Sequence, residues 1–354
     1  MLTTTEEFAE TTDIALRGDV VDDALRSLRI RGSVLLRESY SPPWAIAIPT
    51  ADRLASLLGV DTGTRVVAFH LVELGHCEVE PKGEGRVHLK AGEMVICFGG
   101  TAHRIFQGKA RQTQAIESLL AGDKNTQRPI TASHGSATSL LCGVFLLHDI
   151  ALNPLFNALP RVMRVALSRS GTLHNLSGVA RLMAEEIDRK SLGGGYIVER
   201  LLEVLCAEAV RAHLESVPNH EANWFRGIKD PVIGRAIIAI HARPGEDWSV
   251  QRLARHVAMS PSRFAARFSE ALGVSTMAYV AKWRMNVACR KLALARKGID
   301  QIAVEVGYES LAAFSRAFKK HVGLPPAVWR ERQLSRMHSR SLGSKQLTGD
   351  DGPA

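Results

Sequence analysis

The C-terminal third of the chain contains the same short pattern twice, and this repetition limits the fold more than any other feature of the sequence. The first copy spans residues 249–273 and the second spans residues 298–323. Their apolar anchors correspond pairwise: Leu253 with Ile302, Phe264 with Phe314, and Phe268 with Phe318. The first pair is 49 positions apart and the other two are 50 apart, so the second copy holds one extra residue. A turn between two helices tolerates such an insertion.

Each copy has the pattern of two short helices joined by a turn. In the first copy, Leu253 and Val257 are four residues apart and therefore share one helix face. Ser260 followed by Pro261 is typical of a helix start, and Ser310 takes that place in the second copy. Two helices joined in this way form a helix-turn-helix, whose second helix enters the major groove of DNA.

The segment between the copies, residues 275–296, contains no glycine or proline and carries apolar residues at helical spacing. About 20 residues at ~1.5 Å each make a helix of ~30 Å. One turn of B-DNA measures ~34 Å. The sequence therefore predicts a rigid helix that holds both reading helices on one face of the duplex, in successive segments of the major groove.

The positive charge of the chain is concentrated in the repeat region. The 354 residues carry a net charge of +9. Residues 229–334 contain 18 Lys or Arg and 8 Asp or Glu, whereas the remainder contains 27 basic and 28 acidic residues. A solvated helical surface alone does not predict this partition. It favours a polyanionic partner for the C-terminal region, such as double-stranded DNA.

Residues 302–330 carry a more specific signature. They contain an Ile-Ala pair, a Gly-Tyr turn, a Phe-Ser-Arg-x-Phe core and a Gly-x-x-Pro ending that is followed by Arg330. With the first copy and the linking helix, they resemble the DNA-binding domain of the AraC/XylS family, over about residues 230–333. The resemblance implies a transcription regulator that binds double-stranded promoter DNA, rather than an enzyme. It also implies a homodimer, and contact with RNA polymerase if the protein is an activator.

The side chains expected to contact DNA lie opposite the phenylalanines, because each residue of an ideal helix turns by ~100°. They are Ser262, Arg263, Ala266 and Arg267 in the first copy, and Ala312, Ala313, Arg316 and Lys319 in the second. Ala266 offers a base only a methyl group, so the first reading helix is expected to sense thymine methyls or DNA shape. Arg316 is the best candidate for a base or phosphate contact.

The N-terminal half is a series of short apolar runs closed by turn residues, from Gly32 to Leu147. Many short strands at close spacing predict a sandwich or barrel. The order FHLVELGHCEVE, HLKAGEMVICFGGTAHRI, LLCGVFLLHDIALNPLFNALP resembles the cupin-type sensory domain that precedes AraC-type DNA-binding domains. The expected fold is therefore α+β: a cupin-like β-barrel with a helical segment, then an all-α tandem helix-turn-helix domain.

The expected division of the chain follows these patterns. It comprises a loose N-terminus (1–21), a cupin-like sensory domain (22–160), a helical segment (161–217), a linker (218–229), the DNA-binding domain (230–333, with motifs near 250–272 and 299–322) and a disordered tail (334–354). The helical segment packs on its own sheet, forms a dimer, or does both, and the sequence does not separate these roles. An effector is expected to change the spacing of the two DNA-binding domains of a dimer.

Metal binding is a weaker expectation. The paired histidines of the first cupin motif are missing, and the candidate ligands for zinc or iron are His70, His76, His103 and Cys142. The alternative is that they are ordinary strand residues, with Cys142 packing as a small apolar group. We expect no metal and no other cofactor. The candidate lining of an effector pocket in the barrel is Trp44, Phe69, Phe98 and His103.

Two other function classes remain open at this stage. One is a cupin-type metalloenzyme with an incidental nucleic-acid-binding domain. The other is a DNA-alkylation repair protein, which needs a reactive cysteine; none of the five cysteines has a zinc-type neighbourhood. The scattered cysteines, the polar and acidic N-terminus, and the lack of an apolar run of ~20 residues predict a cytoplasmic protein without a membrane segment.

Overall fold

The computed structural model describes residues 20–26, 28–60, 64–110, 112–121, 137–148, 152–167, 174–189, 191–216, 223–294 and 296–335. They separate into two compact units. The barrel unit comprises the described residues of Leu28–His148 and Leu159–Val217. The helical unit comprises those of Met1–Ser27, Asp149–Ala158 and Pro218–Ala354.

The barrel unit is built from short strands. Their bounds are β1 Arg31–Tyr40, β2 Trp44–Ile48, β3 Thr64–Leu74, β4 His76–Pro81, β5 Val87–Lys90, β6 Glu93–Cys97, β7 His103–Gln107, β8 Gln114–Ala115, β9 Thr138–His148 and β10 Met163–Ala166. One sheet has the order β1-β9-β3-β6-β10 and the other the order β5-β4-β7-β2-β8. Neighbouring strands are antiparallel except β2 and β8, which are parallel.

The core of the barrel unit lies between the two sheets. Alternate residues of each strand meet there, because successive side chains of a strand point to opposite faces. Representative members of this core are Trp44, Ile46, Val66, Ala68, Val72, Val95, Ile105 and Val144. The expected cupin-like barrel is confirmed.

Helices cover the other face of the first sheet. They are α5 (His174–Arg189) and α6 (Gly194–Ser216), and α6 packs against β1, β9 and β10. A Cβ atom on Gly32 would lie 2.3 Å from Cβ of Leu202, so only glycine permits this approach of strand and helix. Two further helices, α2 (Ala51–Leu57) and α3 (Ile116–Leu120), belong to the same unit.

Strand β10 corrects the sequence prediction, which closed the strand series at Leu147 and made the following segment helical. Met163 and Val165 are buried, while Arg164 and Ala166 are exposed. This alternation is that of a strand, and β10 pairs with β6. A stretch of four residues is too short for alternation to stand out from the helical sequence around it.

The helical unit contains the repeated pattern and several shorter helices. Their bounds are α1 20–26, α4 Pro154–Ala158, α7 Trp224–Lys229, α8 Ile233–Ala242, α9 Val250–His256, α10 Pro261–Leu272, α11 Thr276–Ala293, α12 Ile299–Glu305, α13 Leu311–Val322 and α14 326–335. The two predicted helix-turn-helix motifs are α9–α10 and α12–α13. The predicted linking helix between them is α11.

The turn of the second motif contains the extra residue. The left-handed residues Ala258 (φ 55°) and Gly307 (φ 82°) are 49 positions apart, whereas the N-caps Ser260 and Ser310 are 50 apart. The N–H of Met259 donates to the carbonyl of Ala254 as that of Tyr308 does to Ala303, so Tyr308 corresponds to Met259 and Glu309 is the insertion. Ser310 accepts a hydrogen bond from the N–H of Ala313, at 3.2 Å between Oγ and N, as a capping side chain does.

Helix α7 corrects the expected linker 218–229, because Trp224, Phe225 and Ile228 are buried in the helical unit. Two segments expected in the sensory domain, α1 and α4, also belong to this unit. Asp23 of α1 pairs with Arg290 of α11 at 3.0 Å. The side-chain N–H of Asn153 donates to the carbonyl of Ala24 at 2.8 Å, so it ties α1 to α4.

Some expectations fall outside the described residues. They concern the loose N-terminus up to residue 19, the linker at 218–222 and the tail from residue 336. Within the described part of the chain, no helix combines the length and apolar character needed to cross a bilayer.

Candidate functional site

Arg284 of α11 joins the two helix-turn-helix motifs. Its guanidinium donates to the carbonyl of Pro244 at 2.9 Å and to that of Glu246 at 2.7 Å, both in the loop before α9. It also donates to the carbonyl of Gly307, in the turn of the second motif, at 3.2 Å. The loop and the turn are in close contact, because a Cβ atom on Gly245 would lie 2.4 Å from the carbonyl oxygen of Glu305. One side chain thus sets the position of the second motif relative to the start of the first.

The outward faces of α10 and α13 are those predicted from the phenylalanine positions. Phe264, Phe268, Phe314 and Phe318 are fully buried. The exposed candidates are Ser262, Arg263, Ala266, Ala312, Arg316 and Lys319, and the half-buried ones are Arg267 and Ala313. Six of the eight side chains are therefore accessible to a ligand as large as duplex DNA. Contact between these residues and bases or phosphates remains a prediction.

The cations of these two faces differ in their partners. Among the described residues, Arg263, Arg316 and Lys319 have no carboxylate within salt-bridge distance. Arg267 instead pairs with Asp230 at 2.9 Å, through two nitrogens. A free exposed cation is available to a phosphate or a base, whereas a cation in a two-point ion pair must first give up its partner. Arg267 therefore has a structural task that the sequence did not reveal.

Asp230 is held in its ionised form at the start of α8. Burial raises the pKa of this carboxyl group, but the effect is outweighed. The N–H groups of Ile233 and Val232 donate to its Oδ1 at 2.9 and 2.8 Å, and these bonds together with the Arg267 guanidinium lower the pKa below its usual value. The carboxylate thus caps α8 and anchors α10 to it.

The barrel interior brings two of the candidate metal ligands together. Nε2 of His70 lies 2.8 Å from Nε2 of His103, and both rings are buried. Nδ1 of His103 lies 3.1 Å from the carbonyl of Thr101, which can only accept, so this nitrogen carries a proton. In the neutral ring Nε2 of His103 is then the acceptor, and Nε2 of His70 donates to it. Nδ1 of His70 is left as a buried acceptor without a partner.

Burial keeps this pair neutral. It lowers the pKa of His70 well below 6.5, and the proximity of His103 lowers it further. Burial also lowers the pKa of His103, although the hydrogen bond to Thr101 opposes this shift. Two neutral rings with complementary protons make a stable contact in an apolar core, where a charged ring would be costly.

Thiols surround the histidine pair. Sγ of Cys97, which the sequence analysis did not single out, lies 3.9 Å from Nε2 of His103. The sequence could have indicated this cysteine, because Cys97 lies two residues after Val95 on the same strand and therefore faces the interior as Val95 does. Burial raises the pKa of Cys97 to about 12 and also raises that of Cys142. Cys142 is opposite His70 in the β3–β9 register, whereas His76 is exposed. Among the described residues, no group of three or more His, Cys, Asp or Glu side chains is arranged to hold a metal ion.

The four residues expected to line an effector pocket do not form one cluster. Trp44 belongs to the core between the sheets, on the same side as His103. Phe69 alternates with Ala68 and His70 along β3 and stacks on Phe145 with ring centroids 4.6 Å apart, on the opposite face. Phe98 follows the end of β6 and is buried. A barrel pocket lined by all four remains a prediction that this placement does not favour.

Comparison with known protein families finds two matches. Residues 19–215 match the cupin family, and residues 253–332 match the helix-turn-helix domain family. Both agree with the barrel and the tandem motifs described above. The cupin match also includes α1 and α4, which pack in the helical unit.

Relatives match across most of the chain. An AraC-like transcription regulator of Streptomyces antibioticus is 31% identical over 89% of this chain and 99% of its own length. The transcriptional regulator AlkR of Acinetobacter baylyi is 30% identical over 68% of this chain and 80% of its own. Among solved structures, the C-terminal domain of AraT from Geobacillus stearothermophilus is 30% identical over 29% of this chain and 86% of its own, with a TM-score of 0.29.

The outward face of α13 generates the first prediction. Arg316→Ala is expected to weaken binding to a specific DNA site by ~1–3 kcal/mol if the guanidinium pairs with guanine. Arg235→Ala is the matched control, since Arg235 is an exposed arginine of α8 outside both motifs. Titration at constant salt measures both. Equal affinities for the two variants and the parent protein would remove Arg316 from the interface.

The histidine pair generates the second prediction. The folded protein keeps both rings neutral, whereas the unfolded chain takes up protons as the pH falls below 6.5. The contribution of the two rings to the free energy of unfolding is therefore complete above pH 6.5. It is lost as the pH falls below this value, by up to ~1.4 kcal/mol per pH unit for each ring. Urea denaturation from about pH 7.5 to about pH 5 tests this.

The matched variants for this test are His70→Gln and His88→Gln. An amide at position 70 retains a donor for His103 but does not titrate, so the loss of stability at low pH should become smaller. His88 is exposed on β5, so His88→Gln should behave as the parent does. An unchanged pH profile in His70→Gln would contradict the neutral-pair assignment.

Proposed function

The chain belongs to the AraC-like transcription regulators. From this premise we propose that it binds a specific promoter site and alters transcription from that promoter in response to an effector. It is a DNA-binding transcription regulator, with a cupin domain followed by a helix-turn-helix domain. The barrel is proposed to catalyse no reaction, because the relatives are regulators.

The unpaired cations on the reading helices carry the proposal. Arg263 on α10, and Arg316 and Lys319 on α13, are exposed and have no acidic partner among the described residues. Both helices are fixed in one unit by buried phenylalanines and by α11. Duplex DNA supplies phosphates along its backbone and guanine acceptors in the major groove, which match such cations in charge and geometry.

The role of the barrel is proposed from its place in the chain. An effector acts only if it binds one arrangement of the protein better than another, since equal affinity shifts nothing. The buried acceptor of His70 is an interior polar atom without a partner that an effector could satisfy.

If the protein activates transcription it must also contact RNA polymerase, whereas repression requires only occupation of the site.

A homodimer is proposed from α5 and α6. Helix α6 covers its own sheet with one face, and α5, α6 and the turn between them expose large apolar side chains: Leu182, Leu192, Tyr196, Ile197 and Val204. Ile197 and Val204 are seven residues apart and lie on one face of α6. Monomeric soluble proteins seldom expose contiguous apolar surface of this kind. The packing role and the dimer role of this segment are therefore compatible.

DNA binding by the full chain is the third prediction. Mapping of bound sites in cells should recover a common sequence, and a fragment that carries it should bind more tightly than a shuffled fragment. The affinity should fall with salt, with a slope of log affinity against log salt of about −0.9 per phosphate contacted. A flat salt dependence, or equal affinity for both fragments, would contradict specific binding.

The dimer generates the fourth prediction. Val204→Asp places a charge on the exposed face of α6 and should convert the dimer to a monomer in sedimentation experiments, because a buried unpaired carboxylate is costly. Leu120→Asp is the control, since Leu120 is exposed to a similar degree on α3. If both variants remain dimeric, the interface lies elsewhere.

A further inference from the structure

The helical unit contains a cavity of about 330 Å³ beside α11. All of its walls belong to this unit: α4, α7, α11, and the C-terminal ends of α10 and α13. The walls are mainly apolar and aromatic, with Leu152, Trp224, Leu272, Val274 and Trp283 among them. The volume and the apolar lining are those of a small-molecule site, for which the usual range is roughly 300–1,000 Å³.

The charged groups of the cavity wall are basic. Lys282 lines it, is half-buried, and has no carboxylate within salt-bridge distance among the described residues. No Asp or Glu contributes to the wall. The other ionisable group of the wall is His321, whose pKa is lowered by burial and by the charges of Lys320 and Lys282. Burial also lowers the pKa of Lys282. A half-buried ammonium without a counter-ion is unfavourable, and an anion in the cavity would compensate it.

Two other polar groups of the cavity wall, the Trp224 indole N–H and the Tyr279 hydroxyl, already have hydrogen-bond partners, unlike Lys282. The indole N–H of Trp224 donates to the hydroxyl oxygen of Tyr279 at 2.9 Å, and that hydroxyl lies 2.7 Å from Nε2 of His241. Burial lowers the pKa of His241 well below 6.5, so its ring is neutral. The Tyr279 oxygen already accepts from Trp224, so its O–H is the group that can donate to Nε2 of His241. The Trp224–Tyr279–His241 hydrogen bonds hold these side chains in place, whereas the Trp283 indole N–H and Nδ1 of His241 are buried without a partner. The cavity is thus preformed, with Lys282 as its free charged group among the described wall residues.

We propose that this cavity binds a molecule with an apolar body and a single carboxylate, and that the carboxylate pairs with Lys282. An amine would be repelled by the ammonium, and a neutral molecule would leave it without a counter-ion. The occupant would contact Leu272, the last residue of α10, and His321, near the end of α13. The site is separate from the barrel, and its existence does not depend on the DNA-binding proposal.

Binding to the full-length protein without DNA tests the proposal directly. The probes are decanoate, decanol and decylamine, which share one apolar tail and differ in the charge of the head, each below its micelle concentration. Titration calorimetry should show one saturable site with affinity in the order decanoate, decanol, decylamine. Decanoate should exceed decanol by about tenfold or more, because a hydrogen bond to a charged group contributes that much. Equal binding of the three probes, or no saturable binding of decanoate, would overturn the proposal.

Three variants locate the site. Lys282→Met should remove the preference for decanoate over decanol, while Lys320→Met, which removes a neighbouring exposed lysine outside the cavity, should retain it. Ala278→Phe fills the cavity from an exposed position of α11 and should abolish binding of both probes. Unchanged decanoate binding in Ala278→Phe, or an unchanged preference in Lys282→Met, would show that the probe binds elsewhere and would overturn the assignment.

Discussion

The arrangement of the two reading helices depends on Arg284. This one side chain of the connecting helix donates to carbonyls on both sides: two in the loop that leads into the first motif and one in the turn of the second. Hydrogen bonds that involve a charged group contribute roughly 1.5–3 kcal/mol each, about twice the usual value. Gly245 and Gly307 are required for this arrangement, because a Cβ atom on Gly245 would collide with the Glu305 carbonyl and one on Gly307 would collide with the Arg284 guanidinium itself. A rigid helix and this three-point contact leave the two motifs little freedom to move separately.

The charge of the helical unit serves two separate purposes. Arg267, Arg284 and Arg290 are engaged inside the unit, with Asp230, with backbone carbonyls and with Asp23 respectively. Arg263, Arg316 and Lys319 are directed outward, without acidic partners among the described residues. Fewer positive charges are therefore available to DNA than the net charge of residues 229–334 suggests, although the surface offered to DNA is positive. Position on the helix, rather than total charge, separates structural cations from those offered to a nucleic acid.

The helical half of the fold could be predicted from the sequence because its signals are local. Phenylalanines four residues apart, N-cap serines and the terminal glycines recur in both copies, and each acts within a few residues of its position. The barrel is different. In β3 the run Val-Val-Ala-Phe-His-Leu-Val is buried on both faces, so alternation cannot show that Phe69 packs on Phe145 while His70 faces the interior. The contact of His70 with His103, and the packing of α1 and α4 with the C-terminal helices, depend on long-range pairing that local patterns do not encode.

Hydroxyl-radical footprinting of the protein on a mapped promoter site is the most direct test that both motifs read DNA as one rigid unit. The spacing imposed by α11 predicts two protected segments for each bound protein, on the same face of the duplex and separated by about one helical turn, or ~10 base pairs. A single protected segment for each protein, or two segments on opposite faces of the duplex, would contradict this account.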